Sequence, residues 1–438
     1  MKSIVRLFDR IIQRILPDPF IIAIFLTVAT LIWAYFSQPL DTRDGLQIVG
    51  YWGDGFWSLA AFTLQMAMIL IGGYVVATSG LVQQGLRRLI SFVNTPIAAV
   101  LFCTFTSMMA SWINWGFGLV VGAVVAVEVG KKLSNVPFRV LVASSYSGFL
   151  VWHAGLSGSI PLLLNSEGKL SSELIGETIA LSQTTFGTLN LVALAAMVLV
   201  IPLVNLYNLN VCADEQSTFV PEETKAIDAP DSISGNWLNR SWIPVLLLVG
   251  LALAYWYGQT TSGAFKLDLN TVIMIFFMLG LLLHGSPSAF IDSVTEATPK
   301  IAPILIQYPL YAAIMAVLKQ SGLAHEISQW FVENSTQTTF PLMTFYSAGL
   351  LNLLVPSGGG QWAVQADIVI GAARELNVPL PKVAMAVAWG DAWTNMAQPF
   401  WAIPLLTIAG LKIKDIMGFC LITLFVSGAA LSLIFLVL

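Results

Sequence analysis

The chain has 438 residues, of which 57% are hydrophobic and only 10% carry a formal charge, against about 25% in soluble domains. With mean hydropathy at +0.79, that shortage excludes intrinsic disorder, a nucleic-acid binder and an ordinary soluble enzyme. The net charge of −4 says little about partners, because so few charges are there to distribute. Cys103, Cys212 and Cys420 are far apart and odd in number, so they form neither a disulfide framework nor metal spacing. No metal and no cofactor is expected. Met1 to Arg14 is basic and amphipathic, and no cleavage site follows the first apolar run.

Roughly 20 mostly apolar helical residues span a bilayer. Apolar runs predict crossings near 19–37, 56–78, 140–163, 185–206, 241–257, 270–284, 302–318, 382–406 and 415–438. Two more apolar stretches, 97–133 and 341–374, are interrupted at Asn114-Trp115-Gly116-Phe117-Gly118 and Pro356-Ser357-Gly358-Gly359-Gly360. Each reads as a helical hairpin that enters and leaves by one side. With the N-terminus cytoplasmic, 14 basic residues fall on the inner side and 6 on the outer, as the positive-inside rule favours. The polar stretch 208–239 reads as a cytoplasmic linker between a first half, 1–207, and a second, 240–438.

The halves resemble each other at an offset of 242 residues. Gln65 falls on Gln307, Ser79-Gly80-Leu81 on Ser321-Gly322-Leu323, Gly116 and Gly118 on Gly358 and Gly360. Asn135-Val136-Pro137 falls on Asn377-Val378-Pro379, and Gly148 on Gly390. The crossings give the two halves opposite orientation. The expected fold is therefore an all-α polytopic membrane protein with inverted repeats, each holding a re-entrant hairpin and a broken helix, the architecture of secondary transporters.

Irregular backbone at membrane depth is tolerated only where protein or a wet cavity surrounds it. Both tips should thus converge with the breaks that follow them, at Trp152–Ser159 and at Gly390–Pro399. Helix N-termini carry free N–H groups and a positive dipole end, which suit a carboxylate. Asn114, Trp115, Gly116 and Gly118 in one tip, and Ser357, Gly358, Gly359, Gly360, Gln361 and Trp362 in the other, are the candidate substrate site, with Asn395 and Gln398 as added donors. The glycines have a plainer reading as packing residues, and the tryptophans as interface or core. Ionisable groups inside spans are costly and often functional. Asp391 and His153 are the candidates for the coupling ion; Glu128 and His284 lie near span ends and read as solvated.

Several of these segments are similar to those of a known family. Leu16-Pro17-Asp18-Pro19, Trp52-Gly53-Asp54-Gly55-Phe56-Trp57, Asn114 to Gly122, Val355 to Gly360 and Asn395 to Trp401 together resemble the bacterial short-chain fatty acid transporter family. The resemblance implies a multi-pass inner-membrane carrier importing short monocarboxylates such as acetoacetate or butyrate. It also implies kinship with the ion transporter superfamily, whose members pair re-entrant hairpins and are often homodimers. The expected mechanism is alternating access with a co-transported cation, H⁺ before Na⁺, and no nucleic acid as partner. Two rivals stand beside it. Gly155-Leu156-Ser157-Gly158 matches the pattern of a rhomboid-type intramembrane serine protease, with His284 as its base; a passive channel for the same anions is the other.

Overall fold

The computed structural model describes residues 17–165, 175–212, 237–265, 269–356 and 358–438, and all regular structure among them is helical. Most of the expected linker, and Ser357, lie outside the described residues. So do seven of the basic residues behind the expected orientation, among them Lys2, Arg6, Lys225 and Lys266. Lipid offers backbone groups no hydrogen bonds, so the chain satisfies them within helices and confines its breaks to buried places.

Helix α1 (Pro19–Ser37) starts where Asp18 accepts the Phe20 N–H at 2.9 Å and Pro19 supplies a preset φ. It is followed by α2 (Gly45–Gly55), α3 (Ala60–Thr78) and the amphipathic α4 (Gly80–Ser91). The first hairpin is α5 (Pro96–Ile113) and α6 (Trp115–Lys132). After it come α7 (Phe138–Gly148), a 3-10 turn (Phe149–Ala154), α8 (Ser159–Leu164) and α9 (Thr188–Val211). The short α10 (Trp237–Arg240) leads into α11 (Ile243–Thr261). The second set is α12 (Leu269–His284), α13 (Pro287–Ala297), α14 (Ala302–Gln320) and α15 (Leu323–Glu333). It continues with the second hairpin, α16 (Phe340–Asn352) and α17 (Gly358–Glu375), then α18 (Leu380–Thr394), α19 (Ala402–Ala409) and α20 (Ile413–Val437).

Eight helical segments among the described residues are long and apolar enough to cross a membrane, and Asn270–His284 is a shorter apolar helix. Sequence reading missed α2, α4, α13 and α15, because each has only 11 or 12 residues and none is apolar throughout. The expected crossing at 382–406 is two helices, α18 and α19, parted by Asn395–Trp401.

The repeated spacing seen in the sequence recurs in the helices: α2 and α13, α3 and α14, and α7 and α18 each begin 242 residues apart. Packing follows the same correspondence across the halves. Helices α1 and α2 pack on α14, while α12 and α13 pack on α3. Helix α6 packs on α19, and α17 on α8. The halves therefore interlock, each hairpin lying against the broken helix of the other half.

Gly148 and Gly390 play one part in this packing. A Cβ on Gly148 would come within 2.9 Å of the Thr104 carbonyl and the Met108 nitrogen, and one on Gly390 within 2.2 Å of the Phe345 carbonyl. Both let a broken helix lie directly on the backbone of its own hairpin's first helix. Gly390→Ala is accordingly expected to lose about 1–3 kcal/mol, read as a lowered melting midpoint of the purified protein. Gly371→Ala, where an added Cβ meets nothing within 4 Å, should leave the midpoint unchanged or raise it.

Candidate functional site

The first tip is narrower than the sequence suggests. Only Asn114 leaves the helical path, with φ −153°, and its Oδ1 accepts the Phe117 N–H at 3.1 Å. Gly116 and Gly118 lie inside the first turn of α6. An added Cβ on Gly118 would fall 2.0 Å from Ser111 Oγ across the hairpin, so this glycine closes the hairpin. Trp115 N–H donates to Ser157 Oγ at 2.9 Å, and Gly118 N–H to the Asn114 carbonyl at 2.9 Å. With those amides engaged, the tip is well tied but poor in free donors.

The break that follows α7 is latched to this tip. Leu156 N–H donates to the Trp112 carbonyl at 2.7 Å, and a Cβ on Gly155 would meet that carbonyl oxygen at 2.0 Å. The turn thereby holds the 3-10 segment with Trp152 and His153, both fully buried, at the middle of the molecule.

His153 meets Asp391 there. His153 Nδ1 lies 2.8 Å from Asp391 Oδ2, and His153 Nε2 accepts the Ile160 N–H at 3.1 Å. A backbone N–H can only donate, so Nε2 carries a lone pair. The neutral ring then has its one proton on Nδ1, which donates to the carboxylate. This bonding fixes the tautomer. Asp391 is fully buried, and its Oδ1 has no partner among the described residues.

The second tip arrives at the same place. A Cβ on Gly358, the first residue of α17, would lie 2.6 Å from His153 Cε1 and 3.2 Å from Trp152 Cη2. Trp115 of the first tip packs edge-on against Trp152, with centroids 6.3 Å apart. Both tips thus rest on Trp152, whose Nε1–H donates to Asn395 Oδ1 at 2.9 Å. Trp401, from the break before α19, packs on Trp115 at 5.1 Å and on Trp152 at 5.8 Å. Phe62, Phe149 and Phe400 complete this ring cluster, which draws on both halves.

The buried amides point differently from expectation. Gln361 Nε2 donates to the Ala348 carbonyl at 2.7 Å and to Gln365 Oε1 at 3.0 Å, which uses both its hydrogens. Gln398 Nε2 donates to the Asn352 carbonyl at 3.1 Å, and Asn395 Nδ2 to the Asp391 carbonyl at 3.1 Å. The oxygens of these amides, with those of Asn352 and Asp391, include four without a partner among the described residues: Asp391 Oδ1, Asn352 Oδ1, Gln361 Oε1 and Gln398 Oε1. Trp362 is buried beside this set in sequence, its indole N–H also without a partner. Gly359 and Gly360 follow Gly358 in the first turn of α17.

Two polar residues escaped the sequence reading. Asn352 Nδ2 donates to the Asp391 carbonyl at 2.7 Å and to Thr394 Oγ1 at 2.9 Å, tying α16 to α18. Asn190 accepts the Trp389 indole N–H at 2.9 Å and donates to the Ala154 carbonyl at 3.0 Å. Both are asparagines inside apolar runs, and that isolation was the available signal. Glu128 pairs with Lys131 at 2.6 Å near the end of α6, as a residue at a span end does. The proposed protease pair finds no support: Ser157 Oγ accepts the Trp115 N–H, and His284 Nε2 lies 3.0 Å from the Val75 carbonyl.

Paired interrupted hairpins converging on a buried carboxylate within a bundle of apolar spans define a multi-pass membrane protein of the transporter class. The profile described as short chain fatty acid transporter matches residues 1–438. The chain belongs to the short-chain fatty acid transporter family. A protein of Escherichia coli (strain K12), provisionally named as a short-chain fatty acid transporter, is 39% identical over 433 residues, covering 97% of this chain and 96% of its own. A protein of the same provisional name from Haemophilus influenzae (strain ATCC 51907 / DSM 11121 / KW20 / Rd) is 36% identical over 436 residues, with 97% of each chain covered. The crystal structure of the Alcanivorax borkumensis YdaH transporter, described as having an unusual topology, aligns with a TM-score of 0.44 at 16% identity, over 95% of this chain and 98% of that one.

The bonding of His153 makes a prediction about stability. His153→Ala leaves both the Ile160 N–H and Asp391 Oδ2 buried without partners, at a cost of about 2–5 kcal/mol. Asp391→Asn keeps an oxygen to accept the Nδ1–H and removes a buried charge. Thermal melting in detergent should therefore show a large drop for the first variant and little or none for the second.

Proposed function

We propose that this protein imports short monocarboxylates across the bacterial inner membrane by cation symport, with H⁺ as the coupling ion and alternating access as the mechanism. The single observation behind this reading is the meeting of both tips on Trp152, beside a buried carboxylate with one oxygen free. In a rocking mechanism such a place is the only one that both halves can expose in turn. Helix α11, which has no counterpart among the described residues of the first half, sits between two equivalent sets of crossings. One extra crossing reverses the second set relative to the first, so its location supports inverted repeats.

The anion is assigned to the first turn of α17, from Gly358 to Gln361, where the dipole end favours negative charge. Ser357 precedes that turn as a further donor. The first tip, Asn114 to Gly118, closes the site from the opposite side, and Asn395 and Gln398 hold the intervening break. Asp391 takes the proton on Oδ1, because Oδ2 already accepts from His153 and the other ring nitrogen is held by Ile160. One proton per monocarboxylate makes the cycle electroneutral. The unpartnered oxygens of Asn352, Gln361 and Gln398 are hard ligands, which is why Na⁺ stands as the second cation to test.

Purified protein in liposomes should accumulate labelled butyrate above its external concentration when an inward proton gradient is imposed. Asp391→Asn should equilibrate butyrate without accumulating it. Accumulation driven by a Na⁺ gradient alone would reassign the cation, and equilibration under every gradient would make the protein a channel.

A further inference from the structure

Among the described residues, the second hairpin, α18 and the break after it leave four acceptor oxygens without partners, Asp391 Oδ1, Asn352 Oδ1, Gln361 Oε1 and Gln398 Oε1, together with the hydroxyl of Thr344 and two indole donors, the N–H groups of Trp362 and Trp401. Of those two indoles, Trp401 lies in the ring cluster. Trp401 is 2% exposed, and an indole N–H can only donate. A buried donor without an acceptor costs about 1–3 kcal/mol, and nearly all such groups in folded proteins are paired. The rings around Trp401, namely Phe62, Trp115, Phe149, Trp152 and Phe400, offer no conventional acceptor: the indole N–H of Trp152 is itself a donor, engaged with Asn395.

We infer that Trp401 is a substrate-binding residue, its Nε1–H donating to the carboxylate of the transported acid while the surrounding rings receive the acyl chain. This rests on the reading above and deepens it. It adds a donor beside a first tip whose Trp115, Phe117 and Gly118 amides are already engaged. An acid with a short apolar tail matches both parts of the environment, a single N–H for the anion and aromatic walls for the chain. Trp401 belongs to the second half but touches the first tip, so the anion on it would bridge the two halves.

The test uses the full-length protein in liposomes and labelled butyrate. Replacing Trp401 by 3-benzothienylalanine keeps the bicyclic shape and substitutes sulfur for the N–H, so folding is preserved and only the donor is lost. The half-saturating concentration is expected to rise about tenfold, equivalent to about 1.4 kcal/mol, with the maximal rate unchanged. Trp401→Phe should behave alike, and Trp401→His, which restores an N–H, should recover part of the affinity. If the benzothienyl variant matches the unsubstituted protein and only Trp401→Phe is impaired, Trp401 is a packing residue and the inference fails alone. If the unsubstituted protein takes up no short monocarboxylate, the inference and the proposed function fall together.

Discussion

A backbone that leaves its helix inside a bilayer must find its hydrogen bonds within the protein, and this constraint shapes the whole centre of the molecule. The first tip and the break after α7 solve it for each other: Leu156 N–H goes to Trp112, and Trp115 N–H goes to Ser157. Around the second tip the solution is made by side chains. Asn352 and Asn395 reach the carbonyl of Asp391, and Gln398 reaches the carbonyl of Asn352. His153 joins the two regions, capping Ile160 with one nitrogen and holding Asp391 with the other. Irregular backbone thus creates a polar centre, and the polar centre is what a carrier needs.

The same requirement explains why neutral amides predominate there. An amide can serve a freed carbonyl with its nitrogen and still leave an oxygen over. At Asn352, Gln361 and Gln398 that oxygen has no partner among the described residues. Burying unpaired polar atoms is costly, and the second hairpin, α18 and the break after it carry both unpartnered oxygens and the unpartnered indole donors of Trp362 and Trp401.

Much of the fold was legible in the sequence because its signals are local. Apolar runs of helical length, a glycine-rich interruption in each hairpin, and Gly148 with its counterpart Gly390 all stand out without coordinates. Short helices such as α4 and α15 did not, since length was the criterion and they lack it. The glycines of the first tip were legible as glycines but not in their use: Gly118 admits Ser111, and its amide faces no ligand. Asn352 and Asn190 were overlooked because a single amide in an apolar run acquires meaning only from what it touches.

The sequence by itself determined the membrane spans, the two interrupted hairpins, the repeat at one spacing and the presence of His153 and Asp391 at its breaks. These follow from hydropathy and from residues that disrupt helices, properties carried by each segment alone. Tertiary structure decided that those two residues, 238 positions apart, share one hydrogen bond. It also decided which way the amides of Gln361 and Gln398 turn, and that rings from both halves close around Trp401. Hydrogen-bond direction and ring packing depend on the neighbour presented by a distant helix, and no local pattern in the chain encodes that neighbour.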